Sequence, residues 1–160
     1  MPADPVETCQ TLYFEDFEPG RNALSPRRTL TDADLVLFAG LTGDHSPQHT
    51  DDVHAAGTPF KRRIAHGALI FSIASGLSTR IFPSNPAMIA LFGVDNLRFL
   101  RPVFVGDTIR ASKEVVETEA KDVKRGIVRF RTTVSNQHDQ VALTYEDLVL
   151  FARRPAPQKP

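Results

Sequence analysis

The sequence predicts an α+β fold in which a curved antiparallel sheet wraps around one long central helix. Three features indicate this fold: a short amphipathic helix, a long and almost wholly apolar helical segment at residues 66–82, and alternating strand patterns through the second half of the chain. A helix that is apolar around most of its circumference needs other structure around it. Strands with one apolar face supply such a layer.

The length of the chain, 160 residues, suits one domain with one core. We predict a flexible N-terminus over 1–10, one folded domain over 11–153 and a flexible tail over 154–160, because both ends are rich in proline or polar residues. The only cysteine, Cys9, lies in the first segment and is expected to be a reduced thiol.

Charge and hydropathy exclude some classes of partner. The 19 basic residues balance the 19 acidic ones, so no overall field favours nucleic acid or an anionic membrane. No apolar run approaches the roughly 18 residues that a membrane-spanning helix needs, and the first residues, MPADPVETCQ, do not resemble a secretory signal. We therefore expect a cytoplasmic protein.

The first predicted helix lies in TLTDADLVLFAGLTG. Thr31 is its expected N-cap, Asp32 and Asp34 fall in its first turn, and Gly43 ends it. Its apolar stripe consists of Leu35, Phe38 and Ala39. The next segment, DDVHAAGTPF, is expected to add one helical turn at most before glycine and proline stop it.

The later segments have the pattern of strands. Four are expected, in the order MIALFGVDNLRFL, DTIRASKEVVETEA, DVKRGIVRFRTTVSNQ and VALTYEDLVLFAR, and we predict that they form an antiparallel meander. In the last of them the apolar residues change parity between Tyr145 and Leu148. A β-bulge near Glu146 and Asp147 would explain this change.

The stretch LTGDHSPQHTD, residues 41–51, contains the densest polar cluster and has three interpretations: a surface turn, a metal site or a catalytic site. Because Pro47 separates His45 from His49, one helix is not expected to run through both and to chelate a metal. A loop could still hold a metal through a set drawn from Asp44, His45, His49 and His54. We expect no metal here, since no cysteine or HExxH frame accompanies the cluster.

The catalytic interpretation depends on Asp44 and His49, which lie five residues apart and shortly before the apolar helix. A carboxylate and an imidazole can together hold and deprotonate one water. Gly67, in the first turn of that helix, has an N–H at the positive end of the helix dipole that could bind a developing oxyanion. On spacing alone, a turn held by Asp44 and a glycine kept for close packing explain the same residues.

At these residues the chain resembles the MaoC-like, R-specific enoyl-CoA hydratases and dehydratases, which have the hotdog fold. The stretch FAGLTGDHSPQHTDDVHA matches the signature of that family, which runs from an aromatic residue through Gly-Asp to Pro-x-His and a later small residue. The matching positions are Phe38, Thr42, Gly43, Asp44, Pro47, His49 and Ala55. Ser46 departs from the pattern, where the family usually has Asn, but its hydroxyl can still cap the turn.

The resemblance covers roughly residues 20–150. It extends to FKRRIAHGALIFSIASGL, which is similar to the central helix of the family, and to NLRFLRPVFVGDTIRA, which is similar to the hairpin that follows it. It implies reversible hydration of an enoyl thioester to an (R)-3-hydroxyacyl thioester, with water activated by Asp44 and His49 and the thioester oxygen held by the Gly67 N–H. Which member of the pair is the base is left open.

The resemblance also implies the partners of the protein. We expect a homodimer or a higher assembly of dimers, an acyl thioester of coenzyme A or of a carrier protein as substrate, and no cofactor besides the coenzyme A of the substrate. The residues expected to bind substrate are Ser46, His66, Ser75, Arg62 and Arg63. Further candidates for the phosphates of coenzyme A are Lys61, Arg98 and Arg101.

Two other functions remain open. A hotdog thioesterase would hydrolyse the thioester, but some of these enzymes carry an acidic residue on the central helix, and residues 66–82 contain none. A non-catalytic subunit that binds acyl thioesters would have no need for the paired Asp44 and His49. Acyl chain length, branching and the physiological direction of the reaction are not determined by the sequence.

Overall fold

A computed structural model describes residues 11–82 and 85–155 as one antiparallel sheet packed against one long helix. The predicted α+β architecture is confirmed. Residues 1–10, with Cys9, and most of the predicted tail lie outside the described residues. Arg154, the first residue of that tail, is described, and its guanidinium binds the Asp16 carboxylate at 2.6 and 2.8 Å.

The chain enters the domain through a 3₁₀ turn at Phe14–Asp16 and two short strands, β1 at Asn22–Leu24 and β2 at Arg28–Thr29. Both strands pair with the strand β4 that comes later in the chain. The Phe14 ring lies flat on Gly126, where an added Cβ would stand 2.3 Å from the ring. That close approach explains why glycine occupies this position in the sheet.

Three short helices follow: α1 at Asp32–Thr42, α2 at Pro47–Thr50 and α3 at Asp52–Gly57. Thr31 caps α1 in a capping box with Asp34, as predicted. Because α2 begins at the proline, His45 lies outside it and His49 inside it, which confirms that no single helix runs through both histidines.

The central helix α4 spans Gly67–Thr79, three residues short of the predicted C-terminal end. The side that faces the sheet buries Leu69, Ile70, Ile73, Ala74, Leu77 and Ser78. The opposite side is exposed in the single chain and carries only small residues, Ala68, Ser72, Gly76 and Thr79. The predicted burial of the apolar helix is confirmed on the side that faces the sheet, while this outer side is open in the single chain.

The four predicted strands are confirmed as β3 (Met88–Phe99), β4 (Thr108–Ala120), β5 (Arg125–Ser135) and β6 (Val141–Ala152). Their order in the sheet is β1-β4-β5-β6-β3, so the predicted four-strand meander and the hairpin between β3 and β4 are wrong. β4 already pairs with β5 on one side and with β1 and β2 on the other. β3 pairs instead with β6, and residues 100–107 link the two halves of the sheet.

The predicted bulge near Glu146 and Asp147 is also wrong. The pairing of β6 with β5 runs without interruption from Tyr145 through Leu148. In the pairing of β3 with β6 the extra residues belong to β3, not to β6. The side chains of β6 alternate between the two faces of the sheet through this part of the strand. One inward position is occupied by a charged residue, Asp147, which is only 3% exposed. The apolar pattern is interrupted at Asp147 because a buried residue is charged, while the backbone pairing stays regular.

The interior contains two apolar clusters. The larger lies between α4 and the sheet, and the smaller consists of Phe17, Val115, Val128, Phe130, Val149 and Phe151. Between them lies a buried ion pair of Lys113 and Asp147, and Thr132 donates a hydrogen bond of 2.6 Å to the Asp147 carboxylate. None of the described helices is long and apolar enough to cross a membrane.

Candidate active site

Asp44 lies just after α1, where the chain turns at Gly43 with a left-handed φ of 75°. Its carboxylate accepts hydrogen bonds from the hydroxyl and the backbone N–H of Ser46, at 2.5 and 3.1 Å. These two bonds, the hydroxyl first, lower the pKa of Asp44 below its ordinary value, and the nearby His66 and His49 add to the effect. The carboxylate is therefore ionised at neutral pH.

His49 is buried in α2 with its two ring nitrogens in different environments. Its Nδ1 lies 2.7 Å from the carbonyl oxygen of Ile64. Because a carbonyl oxygen only accepts, Nδ1 must carry the proton and Nε2 the lone pair. The side-chain amide nitrogen of Gln48 lies 3.2 Å from Nε2 and donates to it. The backbone thus fixes the tautomer in which Nε2 can accept a proton.

His66 connects the acid and the imidazole to the central helix. It is the N-cap residue of α4, and its ring stacks on the His49 ring with centroids 3.9 Å apart and planes 27° apart. Its Nε2 donates to the backbone carbonyl of Asp44 at 3.0 Å. Its other ring nitrogen is buried and has no hydrogen-bond partner among the described residues. The ring thus supports both Asp44 and His49.

Gly67 is the first residue of α4, so its N–H has no acceptor within the helix. An added Cβ would stand 2.9 Å from the Phe99 ring of β3. Any larger residue here would require the Phe99 ring, which is 55% exposed, to move. The Phe99 ring therefore lies beside the first residue of α4.

The candidate catalytic groups lie close together. One polar side-chain atom each from Asp44, His49 and His66 can be chosen so that all three lie within 4.8 Å of one another. One water can hydrogen-bond to two groups at that separation. The same three residues could be considered as metal ligands, but the face-to-face stacking of the imidazoles prevents both lone pairs from pointing at one ion. That the site works without a metal stays a prediction.

A cleft of about 570 Å³ opens beside these groups. Its wall includes His49, Gly67, Gln48, Phe99 and Arg101. The volume is within the range of small-molecule sites, and the lining is mainly apolar with a few polar groups. The cleft therefore joins the imidazole and the start of α4 in one space.

The other predicted binding residues are more scattered. Ser75 does not reach the acid–imidazole pair and lines a separate, smaller cavity against the sheet. Arg63 forms ion pairs with Asp32 of α1 and Asp52 of α3, at 2.8 and 2.7 Å. Its charge is therefore already paired. Arg62 lies over the Phe104 ring at 3.9 Å.

Three features of the site escaped prediction from the sequence. The Ile64 carbonyl belongs to the backbone and has no sequence signature. Phe99 is distant in sequence from Gly67, and only the fold brings them together. Only the contact of Gln48 could have been predicted from the sequence. Gln48 immediately precedes His49, and its amide is long enough to reach the His49 ring.

Comparison with known proteins identifies relatives along most of the chain. The chain is 38% identical over 122 residues to the (R)-specific enoyl-CoA hydratase of Rhodospirillum rubrum, covering 76% of this chain and 79% of that protein. It is 47% identical over 98 residues to Protein MaoC of Klebsiella aerogenes, covering 61% of this chain. It spans only 29% of the length of that second relative.

Solved structures agree in fold. The structure described as a monoamine oxidase regulatory protein from Archaeoglobus fulgius superposes with a TM-score of 0.86 at 42% identity, covering 91% of this chain and 97% of that one. A Mycobacterium tuberculosis protein described as having a double hotdog fold superposes with a TM-score of 0.79 at 26% identity, covering 94% of this chain and 46% of that one.

A long central helix packed on an antiparallel sheet is the arrangement of a hotdog fold. The chain belongs to the MaoC-like domain family, whose model matches residues 16–141. The predicted family and the predicted hotdog fold are both confirmed.

Proposed function

We propose that this protein catalyses the reversible addition of water to a trans-2-enoyl thioester, giving the (R)-3-hydroxyacyl thioester. The observation that carries the proposal is the juxtaposition of an ionised Asp44 with a His49 whose Nε2 lone pair is free of a proton. The relative named as an (R)-specific enoyl-CoA hydratase supports the same reaction class and stereochemistry.

In the proposed reaction, a water lies between the two side chains. Asp44 accepts a hydrogen bond from one O–H. His49 Nε2 exchanges its hydrogen bond from the Gln48 amide for the other O–H, and takes that proton as the water oxygen bonds to C3 of the substrate. The imidazolium then gives that proton to C2. The pair returns to its starting state, and both hydrogens of the water end up in the product.

Electron density that leaves the double bond collects on the thioester oxygen. The Gly67 N–H is the donor we assign to that oxygen, because it lies at the start of α4 and lines the same cleft as His49. Loss of one such donor typically raises a reaction barrier by about 2.7 to 4 kcal/mol. A contribution of that size separates a catalyst from a binding protein.

The thioester is proposed to be carried by coenzyme A or by a carrier protein, and no further cofactor takes part in the proposed steps. Arg101 lines the cleft, and Arg62 is exposed and lies over the Phe104 ring. These two guanidinium groups are better placed for phosphates than Arg63, whose charge is already paired with two aspartates.

We also propose that two chains form a dimer along β3. This strand pairs only with β6 among the described strands, so its outer edge is open. Its exposed apolar side chains are Met88, Ile89, Leu91, Phe92 and Phe99. Exposed apolar surface on an open strand edge is typical of an interface. Because Phe99 also contacts the position of Gly67, a second chain there would cover the catalytic cleft.

The proposal is tested by incubating the protein with crotonyl-CoA and following the enoyl chromophore and free thiol together. We expect loss of the chromophore without thiol release, and a product of R configuration on a chiral column. Thiol release with the alkene intact would identify a thioesterase instead. No turnover of any enoyl chain length would identify a non-catalytic acyl-thioester binder.

A further inference from the structure

A second cavity, of about 60 Å³, lies between α4 and the inner face of the sheet. Phe71, Ser75 and Ser78 line it from the helix. With Gly67 these residues are spaced four, four and three apart, so all of them share one side of α4. At about 1.5 Å per residue, Ser75 and Ser78 lie about 12 and 16 Å along the helix from Gly67.

The position of this cavity suits the far end of an acyl chain. A thioester whose oxygen is held at Gly67 would extend its chain along the same helix side, past Phe71. The Phe71 ring packs edge-on against Tyr145 at 5.1 Å and lines the cavity. Other walls are apolar and include Phe82 and Val149.

The end of the cavity is polar, which an ordinary hydrocarbon chain does not require. Lys113 and Asp147 are 6% and 3% exposed, form an ion pair with each other, and both line the cavity. Buried ion pairs are often no more stabilising than apolar residues of similar volume, so stability does not account for this one. Thr132 completes the network with a hydrogen bond to Asp147.

Ser78 adds an unused hydrogen-bonding group. Its Oγ is buried, and no group in the described part of the chain is placed to complete a hydrogen bond with it. Tyr145 lies near enough to interact weakly with it, and burial, followed by the charge of Asp147, raises the pKa of Tyr145 to about 12. The phenol is thus neutral. A buried hydroxyl without a partner is unfavourable unless a ligand or water supplies one.

The charges at this end decide the class of ligand. Lys113 is already neutralised by Asp147, so none of the described residues that line the cavity offers it a free cation. A carboxylate would lose its hydration there without gaining a partner of opposite charge. A hydroxyl or carbonyl group has no such penalty and can bond to Ser78.

Resting on the hydratase function proposed above, we propose that this cavity is a distal acyl subsite for a neutral polar group. The preferred substrates would be medium-length enoyl thioesters that end in a hydroxyl or keto group. Ser78 would contact that group directly. Lys113 and Asp147 would keep the end of the subsite polar and would exclude anionic chain ends.

The test compares three trans-2-decenoyl-CoA substrates that differ only at the far end: methyl, hydroxyl or carboxylate. We expect kcat/KM for the hydroxyl-ended chain to exceed that for the methyl-ended chain by about 3- to 10-fold, the worth of one hydrogen bond. The carboxylate-ended chain should be the poorest of the three. A hydroxyl-to-methyl ratio of one or below, or preference for the carboxylate, would overturn the proposal.

Two variants locate the effect. In Ser78→Ala the hydroxyl-to-methyl ratio should fall to about one. In Ser72→Ala, on the exposed side of the same helix, the wild-type ratio should persist. An unchanged ratio in a folded Ser78→Ala protein would overturn the assignment of Ser78. If that variant does not fold, the wild-type ratio alone decides.

Crotonyl-CoA separates this proposal from the one on which it rests. Hydration of crotonyl-CoA without discrimination among the three long chains would overturn only the distal subsite. If no enoyl thioester is hydrated, titration calorimetry with decanoyl-CoA and its terminally hydroxylated form decides the subsite independently. Tighter binding of the hydroxylated form by the same factor is expected, and equal binding would overturn the subsite.

Discussion

The proposed catalytic residues, Asp44 and His49, are held in their chemical states by neighbouring groups. Asp44 is held ionised by Ser46, and His49 is held in one tautomer by a backbone carbonyl. His66 fills the space between both of them and the first turn of α4. A site built in this way keeps its charges and proton positions before substrate arrives, which reduces the reorganisation needed during the reaction.

The hydrogen bonds from Ser46 predict a measurable titration. In wild-type protein the pKa of Asp44 should lie below its ordinary value of 3.8. In Ser46→Ala this pKa should rise, because the variant lacks the hydroxyl hydrogen bond that stabilises the carboxylate most. Carbon-13 NMR of the carboxyl carbon measures both, with Asp44→Asn to assign the signal. Ser46→Asn, which restores a side-chain donor, should return the pKa towards the wild-type value.

A pKa for Asp44 that is the same in wild type and Ser46→Ala would contradict this account of the carboxylate. So would a higher pKa in wild type than in the alanine variant.

The sequence was informative about individual residues where side-chain chemistry was concentrated. Asp44, His49 and Gly67 could be assigned together because the motif and the start of an apolar helix lie close in sequence. In the structure His49 and Gly67 line one cleft, and Asp44 lies next to His49. The Ile64 carbonyl could not be predicted, because every residue has one. The stacking of His66 on His49 depends on the angle between α2 and α4, which local sequence does not determine.

At the scale of elements, the start of α4 and the end of β3 depend on each other. The helix can bring its first N–H to the cleft only because Gly67 has no side chain where the Phe99 ring lies. β3 in turn is fixed by its pairing with β6. The proposed oxyanion donor is therefore positioned by the sheet as well as by its own helix.

Replacing Gly67 with alanine should disturb this contact. The new Cβ would push the half-exposed Phe99 ring aside, so we expect a loss of about 0.5 to 1.5 kcal/mol in the free energy of unfolding, measured by urea denaturation, together with slower hydration. In the double variant Gly67→Ala/Phe99→Leu most of the stability should return. Unchanged stability in the single variant would show that the contact is not as tight as described.

The strands were predictable but their arrangement was not. Alternation of apolar and polar residues depends only on which face is buried, so β4, β5 and β6, whose burial alternates, could be located from their own sequences. Pairing is decided by distant segments, and β3 lies next to β6 because β4 has neighbours on both sides. The parity change in β6 was misinterpreted because a buried Asp147 has the same sequence pattern as a bulge.

At the scale of the whole molecule, the open edge of β3 predicts a dimer. Wild-type protein should sediment as a particle of twice the 17.7 kDa chain mass. Phe92→Glu places a charge on the exposed edge and should shift the population to single chains. Val123→Glu, which replaces an even more exposed apolar residue between β4 and β5, should leave the dimer intact.

Sedimentation of wild-type protein as single chains would contradict the proposed interface. So would an equal response of the Phe92 and Val123 variants, because the effect would then come from added charge in general.

The central claim is that Asp44 and His49 jointly activate water. It is tested most directly by measuring crotonyl-CoA hydration in Asp44→Asn, His49→Ala and, as control, His45→Ala, the exposed histidine of the same loop. We predict that either of the first two changes lowers kcat/KM by about 10²- to 10⁴-fold in protein that stays folded by circular dichroism, while the control keeps near-normal activity. Near-normal hydration by either the Asp44 or the His49 variant would contradict the claim.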